Sequence, residues 1–424
     1  MSLRPPSTSD AQPPTTPISP ETRVAQAAPD RLAAPIHEGR LLALLVGTMF
    51  LVVTNINMMA PLLVDFAADF HTSVGAMGQL AAASAVPWAI LAPFMGALSD
   101  RFGRRPVLAT GLAILGLTTI LSALAWDYYS LLMIRVIGGM GGASTGPSVM
   151  SSAADYFPAN QRGRALGWVL AAVSLATVVG VPLVAMAAAY AGWRLAFIGL
   201  GLLLLAIGAS VLLTFPRAKP PKSRQGSPAE LAAVLADHPT RLLLLSNVME
   251  RASFTTVATY LAAFLMQSYG LRLDQVAPAL SATAIGTLIG SAFGGRMADN
   301  RKRKGLVFGV FQSLAALIAL PLFLSTPGVV PTAALGALFG LANSLARPAW
   351  LWLVSQAPES RRGATMGFTA TTNQVGLMVG AAVGGLLLGS AGYQSLGWLV
   401  GAASITSAAI CYCAARSVSP RLRS

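Results

Sequence analysis

From residue 40 onward the chain alternates long apolar stretches with short polar ones. Twelve apolar stretches stand out, at approximately 40–64, 76–98, 106–126, 129–154, 164–189, 194–215, 241–267, 276–298, 304–325, 330–356, 363–390 and 394–415. Each reaches the roughly 20 residues with which a helix crosses about 30 Å of hydrocarbon. The period-2 alternation of a membrane barrel is absent, so the spans predict helices.

The polar punctuation repeats. Gly96-Ala97-Leu98-Ser99-Asp100-Arg101-Phe102-Gly103-Arg104-Arg105-Pro106 follows span 2, and a weaker copy, Gly295-Arg296-Met297-Ala298-Asp299-Asn300-Arg301-Lys302-Arg303-Lys304, follows span 8. Pro158, Arg162, Gly163 and Gly167 match Pro358, Arg362, Gly363 and Gly367. Gly180 with Ala191-Gly192-Trp193 matches Gly380 with Ala391-Gly392-Tyr393. Three markers at nearly one offset predict two homologous halves, an arrangement in which secondary transporters place the substrate site at the interface. The expected fold is an all-α membrane protein, with twelve transmembrane helices in two pseudo-symmetric six-helix bundles. The expected organisation is a disordered tail at 1–39, bundles at 40–215 and 241–415, a linker at 216–240 and a second tail at 416–424. Residues 1–39 are rich in Pro, Ser, Thr and Ala without the apolar core of a signal peptide. Within the linker, residues 229–237 are expected to form a short interfacial helix.

Composition agrees. Hydrophobic residues make up 54% of 424 and charged residues 10%, against about 25% charged in soluble proteins. The net charge of +14 raises the question of nucleic acid, but its distribution excludes that reading. All but five of the 29 Lys and Arg fall at or before residue 40, in the loops on one side, in the linker or after residue 415. Arg194 and Arg272 lie in loops on the other side. This bias predicts a multi-pass protein of the inner or plasma membrane with both termini cytoplasmic. The remaining three, Arg135, Arg251 and Arg347, lie inside spans.

Glu250 is the one acid deep inside a span. Ionisable groups at such depth are costly and face a cavity or a partner. A poorly solvated carboxyl there can take up and release protons, so Glu250 and Arg135 are the proton-coupling candidates. Arg251 lies about 100° round the helix from Glu250 and need not pair with it. Arg347 is the expected partner across the cavity. A structural Glu–Arg bridge is the alternative for Glu250, and an arginine reaching the outer interface is the alternative for Arg135. Asn55, Asn57, Asn247, Arg251, Asn343, Arg347, Asn373 and Gln374 are candidates for lining the cavity. Gly286, Gly290 and Gly294, and Gly376, Gly380 and Gly384, are spaced for close helix packing. No metal-binding cluster, phosphate loop or hydrolytic set occurs among the spans, so neither enzyme activity nor a cofactor is expected.

The loop at Gly96–Pro106 resembles the signature G-x-x-x-D-R-x-G-R-R of the major facilitator superfamily, and the resemblance extends over the chain from about 40 to 415. Leu131 to Ala143 resembles the fourth-helix signature L-x-x-x-R-x-x-Q-G-x-G-A-A of that superfamily's proton-coupled drug exporters, with Gly138 in place of Gln. Gly180-Val181-Pro182 partly resembles their fifth-helix signature. The resemblance implies a cytoplasmic latch of Gly96, Asp100, Arg101, Gly103, Arg104, Arg105, Asp155 and Asp299. In it Asp100 faces the start of span 11 and the arginines pair with carboxylates, Asp155 foremost. Asn300 stands where the first copy has Arg101, so the Asp299 latch is expected to be weaker. The implied function is proton-coupled efflux of a small molecule by alternating access, by a monomer whose partners are substrate, protons and lipid. Two alternatives stay open. One is uptake of an anionic or zwitterionic metabolite, which three arginines against one glutamate favour. The other is a transporter-like sensor that binds without translocating.

Overall fold

The computed structural model describes residues 38–215, 228–297, 304–357 and 362–418. Nearly all of the tail expected over 1–39, most of the linker and Asp299 lie outside the described residues. The first six spans become α1 (Glu38–Asn57) continuing through a 3₁₀ turn (Ala60–Leu62) into α2 (Leu63–Asp69), then α3 (Val74–Phe102), α4 (Arg104–Ala123) and α5 (Tyr128–Asp155). They close with α6 (Ala159–Leu175), which passes through a π turn (Ala176–Gly180) into α7 (Val181–Ala191), and α8 (Trp193–Thr214). A short α9 (Pro228–Ala236) stands where the interfacial helix was expected. The second six spans are α10 (His238–Tyr269), α11 (Leu273–Met297), α12 (Lys304–Leu324), α13 (Val329–Ser355), α14 (Arg362–Ala391) and α15 (Tyr393–Val418). Together they form the twelve-helix, two-bundle architecture that the repeats predict.

Local chemistry sets the helix ends. Ser73 caps α3 by accepting from the Ala76 N–H at 3.1 Å. Asp127 opens α5 in a capping box with Ser130, satisfying donors that have no partner in the first turn. Gly103 separates α3 from α4 with φ +96°, a backbone region that side chains other than glycine rarely enter.

Ten helices among the described residues are long and apolar enough to cross a membrane on composition alone. The two that fall short are α5 and α10. α5 is diluted by glycine and serine around Arg135, and α10 by Glu250, Arg251 and many Ser, Thr and Asn. The two spans that look least like membrane helices are therefore those that carry Arg135 and the Glu250–Arg251 pair.

Packing follows the glycine rows. A Cβ on Gly286, Gly290 or Gly294 would collide with the α13 backbone at Ala337, Leu341 or Leu345. Gly376, Gly380 and Gly384 give α14 the same close approach to α10. The 3₁₀ turn of the first half packs on α10, and the halves also meet along two seams. In one, α3 crosses α14 with Gly75 against the Gly385 backbone, and Gln79 donates to the Ala382 carbonyl at 3.0 Å. In the other, the π turn and α7 pack on α11. There Pro182 lacks the N–H that would bond the Val178 carbonyl four residues back. That carbonyl accepts from Ser281 Oγ of the other half at 3.3 Å. Both seams lie toward the bundle end opposite the basic loops. On the basic side, α6 packs on α1 and α5 of its own half.

Candidate functional site

The second half assembles a buried polar cluster from α10, α12, α13 and α14. Glu250, the thirteenth residue of α10, is 1% exposed. Its Oε2 accepts from Arg347 Nη1 at 2.8 Å and from Arg251 Nε at 2.6 Å. Its Oε1 accepts from Arg251 Nη2. Arg347 also donates to Asn247 Oδ1 at 2.5 Å and Asn373 Oδ1 at 2.8 Å. Asn247 donates in turn to Thr372 Oγ1 at 2.8 Å. Arg251 reaches Asn343 Oδ1 at 3.3 Å, and Asn343 donates to Gln312 Oε1 at 3.4 Å. The Trp350 ring lies under Arg347, 4.8 Å from centroid to guanidinium carbon, and Phe254 lies 4.9 Å from that of Arg251.

One carboxylate between two guanidiniums leaves the cluster with one net positive charge. Removing Glu250 strands two guanidiniums away from water, which is costly. The expected Glu250–Arg347 pair is present. Arg251, which from its position need not pair with Glu250, does pair with it: the 100° step separates the helix positions, but a guanidinium on a flexible stem reaches back across it. Thr372 and Gln312 complete the cluster and were not anticipated.

The first half is built differently. Arg135 sits in α5, 6% exposed. Among the described residues its Nε and Nη2 meet no acceptor, and its guanidinium carbon lies 5.4 Å from the centre of the Phe197 ring. Gly139 and Gly142, one and two turns on, let α3 press its Ser84 carbonyl and Trp88 ring onto α5. The result is a cavity of about 50 Å³ walled by Arg135, Asn55, Trp88 and Met59, and closed from the second half by Gln374 and Leu377. Asn55 donates to Thr119 Oγ1 at 2.6 Å. Asn57 ends α1 and does not line this cavity. Arg135, the second coupling candidate, therefore shares no hydrogen bond with Glu250.

At the basic end, Gly96 and Asp100 fall in the last turns of α3; the Asp100 side chain and all of Asp299 lie outside the described residues. Arg104 pairs with Asp155 Oδ2, from Nε at 3.1 Å and from Nη2 at 3.0 Å. Arg105 donates to the Leu212 carbonyl rather than to a carboxylate, and Arg101 lies over the ring of its neighbour Phe102. These contacts join α4 to α5 and to α8. Both of these partners, Asp155 and Leu212, belong to the first half. Burial, and then the Asp155 carboxylate, raise the Tyr156 hydroxyl above its ordinary range.

With this geometry in place, likeness to known proteins becomes informative. The sequence profile of the Major Facilitator Superfamily matches residues 45–246 and 243–423. The chain is 28% identical to the chloramphenicol resistance protein of Streptomyces lividans, over 58% of this chain and 64% of that protein. It is 24% identical to multidrug resistance protein 2 of Bacillus subtilis (strain 168), over 81% of this chain and 88% of that one. It is 26% identical to the chromaffin granule amine transporter of Homo sapiens, over 79% of this chain and 64% of that one. The matches thus span slightly less than two thirds of the Streptomyces and human proteins. Among solved structures, a bacterial homolog of the human lysosomal transporter Spinster, in an inward-facing and occupied conformation, superposes with a TM-score of 0.76 over 91% of this chain and 98% of that one. Its sequence identity is 17%, so that likeness speaks to fold alone.

Proposed function

Because the chain belongs to the Major Facilitator Superfamily, we propose that its secondary transport runs as proton-coupled export of a small molecule by alternating access. The Glu250 cluster is the observation that carries this reading. A carboxylate that neutralises one of two buried guanidiniums cannot accept a proton and leave its surroundings unchanged. Protonation removes the charge that holds both arginines, so they must find new partners. A change of protonation then favours a different arrangement of α10, α13 and α14, which is the requirement for coupling. Export is favoured by the relatives named for chloramphenicol and multidrug resistance. The net positive cluster and the uncompensated Arg135 favour a second reading, uptake of an anionic or zwitterionic metabolite.

The same reading places the bundles at 40–215 and 241–415 in the plasma membrane, with the 216–240 linker and both termini in the cytoplasm. In that orientation the two seams close the external face, and the Arg135 cavity lies on their cytoplasmic side. The monomer is the transporting unit in this account. Asp100 is the latch acid, facing the start of span 11 when the cytoplasmic side closes.

Flux of candidate compounds in inverted vesicles, with and without a proton gradient, tests the reading. Gradient-stimulated accumulation supports export. Gradient-driven depletion supports uptake, and no flux under either condition contradicts transport.

A further inference from the structure

We infer that Arg135 anchors an anion subsite on the first-half wall of the cavity, and that the group it holds is a monovalent, carboxylate-sized anion. The inference rests on the transport reading only in naming the cavity a transport cavity. A guanidinium that is 6% exposed, with Nε and Nη2 unmatched among the described residues, is an expensive feature to keep unless something outside the chain completes it. The Phe197 ring satisfies one face of the cation, not its in-plane donors.

The described acids within reach of either bundle are engaged elsewhere. Asp69 accepts from Trp193 Nε1 at 2.7 Å and Arg194 Nη1 at 2.6 Å. Asp127 caps α5, Asp155 holds Arg104 and Glu250 holds Arg251 and Arg347. Asp65 and Asp274 line a separate vestibule at the far end with Arg272. Arg135 is thus the one charged group on its cavity wall.

The shape of the cavity names the chemistry. An arginine presents two parallel N–H donors whose fork matches a carboxylate. Gly138, one turn on, lines the same cavity and puts no side chain into it. About 50 Å³ admits a carboxylate headgroup or a small inorganic anion, but not a drug-sized body. Trp88, Met59 and Leu377 offer apolar surface beside the cation, so an organic anion would place its apolar part there. Gln374 reaches the cavity from α14, adjacent to Asn373 of the Glu250 cluster. An anion at Arg135 is therefore one residue along α14 from the group that Arg347 holds.

The test uses the purified full-length chain in detergent, in chloride-free buffer, with calorimetric titration and thermal unfolding. The probes are acetate, its neutral isostere acetamide, and chloride. Acetate is expected to bind and raise Tm, and acetamide to bind at least about tenfold more weakly, since it lacks the charge that the fork pairs with. Arg135→Gln should weaken acetate by about tenfold or more. Arg135→Lys should keep part of the affinity, because it keeps a charge without the fork. Displacement of acetate by chloride assigns the subsite to small inorganic anions also; indifference to chloride assigns it to organic carboxylates. Equal binding of acetate and acetamide by the wild-type protein overturns the inference without need of any variant that might not fold. So does unchanged acetate affinity in folded Arg135→Gln. Because binding is read without flux, acetate binding in a protein that moves nothing contradicts transport and not the subsite, whereas flux without anion binding does the reverse.

Discussion

Trp193 and Tyr393 are the same joint made twice. Each follows a glycine turn and opens the sixth helix of its half, and each reaches the far end of that half's first helix. Trp193 Nε1 donates to Asp69 Oδ2 at 2.7 Å, and the Tyr393 hydroxyl to Gln267 Oε1 at 2.7 Å. The frame of the two halves is therefore alike down to single hydrogen bonds. Their charges are not. Two hundred residues before Glu250 and Arg251 stand Phe50 and Leu51, and Arg347 falls opposite Gly146 and Pro147. Conversely, two hundred residues after Arg135 stand Leu335 and Gly336. The second half holds a carboxylate compensated twice over, and the first holds a cation that no acid meets among the described residues. Duplication supplied the scaffold, and the asymmetry of charge divides the labour. In the proposed reading, one half keeps a proton-sensitive switch and the other a place for an anion.

The comparison breaks most visibly in stability. Glu250→Ala strands two guanidiniums in a closed site, and a loss of about 3–5 kcal/mol is expected, read as a large fall in Tm in detergent. Glu250→Leu combined with Arg347→Met should lose much less than Glu250→Leu alone, because it leaves one buried guanidinium instead of two. Additive losses would mean the cluster is solvated rather than mutually compensated.

Arg135→Met should act with the opposite sign. It replaces a buried cation that meets no acid among the described residues by an apolar chain of similar length, so Tm should hold or rise while acetate affinity is lost. A fall in Tm as large as that of Glu250→Ala would mean that Arg135 has a partner in the folded chain, and the asymmetry would disappear.

A smaller contrast lies in the repeated loops. Asp100→Asn is expected to slow transport by about tenfold, the equivalent of losing about 1–2 kcal/mol of acid-to-helix-end attraction. Asp299→Asn should do less, because Asn300 follows it where Arg101 follows Asp100. Equal rates in vesicle flux would show the two loops to be interchangeable. Smallest is the aromatic joint. Trp193→Phe gives up a hydrogen bond to a carboxylate, worth about 2 kcal/mol, and Tyr393→Phe gives up a neutral one worth about 1 kcal/mol. Thermal unfolding of the two variants orders them, and a larger loss from Tyr393→Phe would contradict the equivalence.

Much of this was legible in the sequence because membranes make charge rare. With one acid deep in the spans, Glu250 had few possible partners, and the pairing with Arg347 follows from that scarcity. The glycine rows at 286–294 and 376–384 read as close-packing faces, and the structure uses them for the α11–α13 and α14–α10 contacts. What escaped was whatever depends on side-chain reach or backbone detail. The pairing of Arg251 with Glu250 is hidden by their angular separation. Gln312 is one amide in an otherwise apolar span and gives no pattern to read. The π turn at 176–180 is marked only by the proline at 182. Its partner Ser281 lies in the other half, where no local rule connects them. The emptiness around Arg135 is also invisible in one dimension, since a lone arginine reads alike whether or not something meets it.

The division of labour between the halves is tested most directly by comparing exchange with gradient-driven transport in proteoliposomes. The assay uses one labelled cargo and the wild type, Glu250→Gln and Arg135→Gln proteins. Exchange needs the cargo site and the conformational cycle, whereas accumulation also needs the proton. Glu250→Gln is expected to retain exchange and to lose accumulation driven by a pH gradient, and Arg135→Gln to lose both. Accumulation by Glu250→Gln with unchanged proton dependence would contradict the account, because the carboxylate would then be a strut and the coupling would lie elsewhere.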